Sequence, residues 1–224
     1  MLLLLDYGIG NIRSLEKAFQ AAGLAPVRSD DPALVAEATR VVLPGVGAFG
    51  ACAGEIRRRG LWAPIERAVA EGTPLLGVCV GMQLLFDLSE EHAPDGGEGH
   101  AGFGFLPGRV VRFPNAAPDG SRLKVPHMGW NAVRPTRSHP LLESDAGQPL
   151  SGTEADSYFY FVHSYHAQPA DPADVLGVAH YGEDFPAVVQ RGHVMGVQFH
   201  PEKSQTAGLH LLQRFASLEP APAT

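Results

Sequence analysis

The sequence runs to 224 residues, 45% of them hydrophobic and 18% charged, which supplies apolar surface for a substantial core and excludes a disordered chain. A formal net charge of -7, with no cationic stripe beyond Arg57, Arg58 and Arg59, argues against nucleic acid as a partner; that short run reads as a solvated face between helical segments. Two cysteines, Cys52 and Cys79, are too few for a disulfide framework and point to a reducing compartment, the cytoplasm.

The apolar run over residues 1–5 stops at Asp6, with neither a basic leader nor the length of a membrane span, and reads as a buried first strand. A helical period follows over 12–22, then a strand at 40–43, a helix over 61–70, a strand at 74–78 and a helix over 82–88. Such alternation predicts a mostly parallel central sheet with helices on both faces. Beyond Ser89, Gly/Pro-rich loops separate strands at 109–113, 158–162, 175–179 and 194–199, and these predict an antiparallel extension. A last helix over 205–218 carries Leu209, Leu212 and Phe215 at helical spacing, and the Pro/Ala-rich tail 219–224 reads as frayed. No linker divides the chain, so it reads as one α/β domain over residues 1–218.

The segment from Leu75 to Gln83 is an apolar strand, then Gly77-Val78-Cys79-Val80-Gly81, then a helix. This is a thiol form of the nucleophile elbow: a turn tight enough to expose the nucleophile at a strand end needs flanking glycines, whose missing Cβ atoms would otherwise clash. The helix that follows turns its positive end toward the sulfur and favours thiolate. A buried free cysteine is the bland alternative, and the glycines weigh against it. A thiolate needs a base, and His200-Pro201-Glu202 at the end of a strand offers His200 as that base. In extended backbone, residues two apart point the same way roughly 6.5–7 Å apart, so Glu202 can orient the ring.

Attack on an amide carbon also needs donors for the oxyanion. The N–H of Val80, next after the cysteine, is one; the loop Pro44-Gly45-Val46-Gly47 can present another, and its glycines allow that peptide to rotate. The same loop matches a dinucleotide fingerprint, Gly45-x-Gly47-x-x-Gly50. Against that reading, the next strand ends in Cys79 where a ribose-binding acid is required, and no phosphate-binding helix start is evident. No cofactor is expected. His163-x-x-His166 is the tightest histidine pair, but no third ligand completes it, so no metal is expected either.

With the elbow, His200-Pro201-Glu202 and the Pro44–Gly47 loop, the chain resembles the triad-type (class I) glutamine amidotransferases. Asp6-Tyr-Gly-x-Gly-Asn11, Lys124-Val-Pro-His-Met-Gly-Trp-Asn131, Phe161-Val-His-Ser-Tyr165 and Val197-Gln-Phe-His-Pro-Glu-Lys-Ser204 narrow the resemblance to the glutaminase subunits of imidazole glycerol phosphate synthase. The resemblance implies that Cys79 attacks the side-chain amide of glutamine, with His200 as acid and base and Glu202 orienting it. It implies Val46 and Val80 as oxyanion donors, and Gln83, Ser164 and Tyr165 as glutamine-binding residues. It implies a separate β/α-barrel cyclase as partner, met through Trp130 and Lys203, and no membrane. The Gly-rich stretch 91–104 carries no assignment.

Competing readings are a sister glutaminase, such as that of anthranilate synthase or the pyridoxal phosphate synthase complex, a free-standing cysteine hydrolase, and a non-catalytic scaffold. The segment His127-Met-Gly-Trp130 counts against the first, and the intact Cys79, His200 and Glu202 count against the last.

Overall fold

The computed structural model describes residues 1–92, 99–143 and 157–218. Its first half alternates as the apolar runs require: β1 (Leu2–Leu5), α1 (Ile12–Ala21), β2 (Val27–Ser29), α2 (Pro32–Glu37), β3 (Arg40–Gly45), α3 (Phe49–Arg58), α4 (Trp62–Ala70), β4 (Leu75–Cys79) and α5 (Val80–Gln83). Then come β5 (Phe86–Ser89), β6 (His100–Ala101), β7 (Leu106–Arg112), β8 (His127–Ala132), β9 (Arg134–Pro135), β10 (Tyr158–His163), β11 (Tyr165–Pro169), β12 (Val175–Tyr181), β13 (Glu183–Arg191), β14 (Val194–Val197) and α6 (Gln205–Ser217).

The main sheet has the order β2-β1-β3-β4-β14-β13-β12-β9. Its pairs are parallel from β2 to β14 and antiparallel from β14 onward, the expected parallel sheet with an antiparallel extension. Consecutive residues of a strand face opposite sides, and Leu3, Leu4 and Leu5, like Val42 and Leu43, are all fully buried, so both faces of the parallel part are covered. Smaller sheets, β10-β8 and β11-β7-β5-β6, stand beside this frame. Because β4 lies between β3 and β14, the ends of three strands sit side by side, and these are the ends that lead into the Pro44 loop, Cys79 and His200. The carboxyl edge of a parallel sheet is where such folds gather their ligands.

Several expectations need correction. The helix expected over 82–88 is a single turn, α5, followed by strand β5. Met82, Leu84, Leu85 and Phe86 are all fully buried, and the continuous apolar stretch 84–86 is too short to show a period that separates helix from strand. Tertiary pairing decides it: Phe103 N–H donates to the Leu84 carbonyl (2.8 Å) and Leu106 N–H to that of Leu85 (3.0 Å). The strand expected to reach Phe199 ends at Val197, and Glu202 sits in a 3-10 turn over Pro201–Lys203 rather than in extended backbone. Pro201 opens that turn, where its missing N–H has no partner to lose. Arg57 and Arg58 close α3 rather than joining helices, a position where cations offset the helix dipole. Arg59 follows, pairing Glu55 at 2.8 Å and Asp30 at 2.5 Å, and Arg57 lies 3.7 Å above the Trp62 ring. The tail 219–224 lies outside the described residues.

Candidate active site

Cys79 ends β4 at φ 56° and ψ -113°, a left-handed region that side chains other than glycine rarely occupy. The surrounding glycines hold it there. A Cβ on Gly77 would lie 2.5 Å from the Gly81 carbonyl oxygen, and one on Gly81 would lie 1.9 Å from that of Leu43. Neither can be accommodated, so the turn folds back against β3 only with hydrogen at both positions. The first amides of α5, Val80 among them, have no acceptor within the helix.

His200 is buried beside the elbow. Its Nδ1 donates to Glu202 Oε1 at 2.9 Å, and the same oxygen accepts from Asn11 Nδ2 at 3.2 Å. Burial works against a charge on His200, but hydrogen bonding and charge interaction with Cys79 and Glu202 outweigh it and raise the pKa to about 10. Burial likewise pushes Glu202 up, yet the bond to His200 and its charge, with help from Asn11, hold the carboxylate below its ordinary value. A sulfur, an imidazole ring and a carboxylate are therefore gathered here, and whenever the ring is neutral the carboxylate keeps its proton on Nδ1. Such a set can take a proton from sulfur and return it to a leaving group.

The Pro44 loop closes one side. Gly45 packs against the elbow, where a Cβ would meet the Gly81 nitrogen at 2.6 Å, and Gly47 takes φ 78°. The Pro44 carbonyl accepts from the Tyr7 hydroxyl at 2.5 Å, and the Val46 carbonyl accepts from the Cys52 thiol at 3.3 Å. Val46 and His200 line one small cavity together with Glu202 and Asn11. The loop does lead into a helix, α3, contrary to the sequence reading. The N–H of Phe49 at its start is taken by the Glu91 carboxylate at 2.7 Å, so the chain itself supplies the anion there.

On the other side, Gln83 is buried, and its Nε2 donates to the Tyr165 carbonyl and to Gln198 Oε1, both at 3.0 Å. Gln198 Nε2 in turn lies 3.8 Å from Cys79 Sγ. Ser164 joins β10 to β11, and its carbonyl accepts from Phe113 N–H at 3.0 Å. Cys79, His200, Glu202, Val46, Val80, Gln83 and Tyr165 thus converge. Trp130 and Lys203 meet elsewhere, around Tyr160: the Trp130 and Tyr160 ring centroids are 6.1 Å apart, and Lys203 Nζ lies 5.5 Å from the Tyr160 centroid. His163 and His166 are buried among aromatic rings, and among the described residues no group of three or more His, Cys, Asp or Glu side chains is arranged to hold a metal ion.

The sequence profile of the family Glutamine amidotransferase class-I matches residues 3–217. The chain belongs to that family. A protein of Salinibacter ruber named imidazole glycerol phosphate synthase subunit HisH is 56% identical over 221 residues, covering 97% of this chain and 94% of that one. A protein of the same name from Syntrophotalea carbinolica is 45% identical, covering 97% of this chain and 100% of that one. A crystal structure of a glutamine amidotransferase, 19% identical, has the same fold with a TM-score of 0.66, covering 96% of this chain and 98% of that one.

In this class-I chain, sequence reasoning assigned no role to Asn11, Gln198, Tyr7 or Glu91. Asn11 and Gln198 stood inside recognised motifs, but no local spacing signals that Asn11 reaches across 191 positions to Glu202, or that Gln198 reaches Cys79 across 119. Among the described residues, no helix is long and apolar enough to cross a membrane.

Proposed function

We propose that this chain hydrolyses glutamine to glutamate and ammonia through Cys79, His200 and Glu202, and passes the ammonia to a separate β/α-barrel cyclase. In this reading the cyclase forms imidazole glycerol phosphate and aminoimidazole carboxamide ribonucleotide in histidine biosynthesis, in the cytoplasm. His200 takes the proton of the Cys79 thiol, and the sulfur attacks the side-chain amide carbon. The C=O electrons move onto oxygen, where the N–H groups of Val80 and Val46 receive the charge. Collapse of this intermediate breaks the C–N bond, and the imidazolium gives its proton to the departing nitrogen, releasing ammonia and leaving a thioester. Water, losing a proton to His200, then frees glutamate and restores the thiol.

The observation that carries this reading is the 2.9 Å bond from His200 Nδ1 to Glu202, made by a buried ring whose charged form is favoured by Cys79, a cysteine at positive φ. Both protons of the Gln83 amide are committed, so Gln83 offers a bound glutamine its Oε1 acceptor beside the Ser164-Tyr165 segment. Rotation of the Gly45-Val46-Gly47 backbone is the step through which the partner and its nucleotide turn on the site. Support for the partner comes from a surface: Met128 (61% exposed) and Trp130 (48%) on β8 and Tyr158 (41%) on β10 are three large exposed apolar side chains, with Tyr160 and Lys203 alongside. Ammonia release from glutamine, by the chain alone and with the cyclase and its nucleotide, tests the reading against a Cys79→Ala blank.

A further inference from the structure

We propose that His127 and His163 are positioning residues for the substrate: with Asn131 they form a one-way hydrogen-bond chain that fixes the Tyr165 carbonyl and, through it, the Gln83 amide beside Cys79. The inference rests on the reading of this site as a glutamine site.

The chain can be traced atom by atom from its carbonyl end. Tyr165 O accepts from Gln83 Nε2 at 3.0 Å, and it faces His163 Nδ1 at 2.9 Å. A carbonyl only accepts, so Nδ1 of His163 carries the proton. Burial among aromatic rings keeps the His163 ring neutral, with a pKa lowered to about 3, which the bond to Tyr165 only partly offsets. Its Nε2 is therefore bare and accepts, so His127 Nδ1, 3.0 Å away, must donate. Burial also lowers the His127 pKa, to about 4, which leaves its Nε2 bare in turn, and Asn131 Nδ2 donates to it at 3.3 Å. Asn131 Nδ2 is itself anchored on the His180 carbonyl at 2.8 Å. Every link fixes the direction of the next, and no ring can change tautomer alone.

A purely space-filling role does not account for this chain. His127 stacks on Tyr181 at 4.2 Å, and the His127 and His163 rings both lie against Phe185, surroundings that would suit leucine or phenylalanine at either position. Instead two imidazoles are buried there, and what the polar chain reaches is the Tyr165 carbonyl, whose other lone pair holds Gln83. With both Gln83 protons directed to Tyr165 and Gln198, its Oε1 is held in one place. Other titratable groups near the cluster are His166, which stacks on Phe113 and faces Glu183 at 3.7 Å, and His200, whose charge acts on His163.

The test uses the full chain and two reagents for Cys79. One is a cysteine-directed glutamine analogue, which must occupy the glutamine site; the other is iodoacetamide, which need not. Labelling is followed by mass spectrometry. His163→Leu, which removes both ring nitrogens, should raise the half-saturating analogue concentration about tenfold, the effect of losing one buried bond and leaving its partners unpaired. Its iodoacetamide rate should stay within about twofold of wild type. His163→Asn, whose amide nitrogen takes the place of Nδ1, should restore most of the analogue affinity. An unchanged half-saturating concentration in a folded His163→Leu protein overturns the proposal and leaves the glutamine reading intact. Wild-type chain labelled by iodoacetamide but never by the analogue overturns the glutamine reading, and this proposal with it. If His163→Leu does not fold, 15N NMR of histidine-labelled wild type decides: at neutral pH both rings should carry the proton on Nδ1, and an Nε2–H tautomer or imidazolium at either refutes the chain.

Discussion

Asn11 and His200 meet on one oxygen of Glu202, and paired variants test whether Asn11 and Glu202 together set the tautomer of the neutral His200 ring. Glu202 Oε1 accepts from both His200 Nδ1 (2.9 Å) and Asn11 Nδ2 (3.2 Å). In Glu202→Gln the same point must hold either an amide oxygen or an NH2. Asn11 Nδ2 is a donor and selects the oxygen, so the tautomer survives and only the charge is lost. A bond to an ionised acceptor contributes about 1.5–3 kcal/mol and one to a neutral acceptor about 0.5–1.5. The difference, about 1–2 kcal/mol, is roughly a 5- to 30-fold loss of kcat. Asn11→Ala alone keeps the carboxylate and should lose about 2- to 10-fold. In the double variant nothing selects the oxygen. An NH2 facing Nδ1 strips that nitrogen of its proton and turns an Nε2–H toward Cys79, and a wrong tautomer of this kind costs about ten-thousandfold. Initial rates of ammonia release, measured for the chain with the proposed cyclase, give all three values. Single losses that simply multiply in the double variant, to about 300-fold or less, would refute the idea that Asn11 chooses the tautomer.

Gly81→Ala sets a Cβ 1.9 Å from the Leu43 carbonyl oxygen of β3; a urea melt should show a loss of at least about 1–3 kcal/mol, with slower labelling of Cys79. The pKa of His200 is raised from 6.5 to about 10, so its contribution to stability is complete below pH 6.5 and is lost as pH rises through about 10. Urea midpoints should fall across that window in wild type and fall less in His200→Gln. Trp130→Ala removes a half-exposed ring, so the thermal midpoint of the chain should hardly move while cyclase affinity, read by titration calorimetry, drops by about 2 kcal/mol.

How much of this was legible in the sequence follows from range. The elbow and His200-Pro201-Glu202 are local, each with its backbone requirement written in the neighbouring residues, and both were readable. The contacts of Asn11, Gln83 and Gln198 depend on β14 lying beside β4 and on a turn 191 positions away, which no window of sequence contains. Strand β8 escaped notice because its pattern is inverted. His127 and Asn131 turn inward to the polar chain, while Met128 and Trp130 face out. Strand β13 contains Pro186, which reads as a breaker, yet it runs through to Arg191. Helix α2 has only six residues and is carried by the Asp31 cap and Pro32 rather than by a periodic face.

The central claim is that the triad releases ammonia for a partner. The most direct measurement is the rate of ammonia formation from glutamine by the purified chain alone, then with the barrel cyclase and its nucleotide ligand, with Cys79→Ala as blank. Slow release alone, a large rise in the complex and nothing from the blank are expected. Fast unassisted turnover, no response to the cyclase, or activity surviving in Cys79→Ala would contradict the claim.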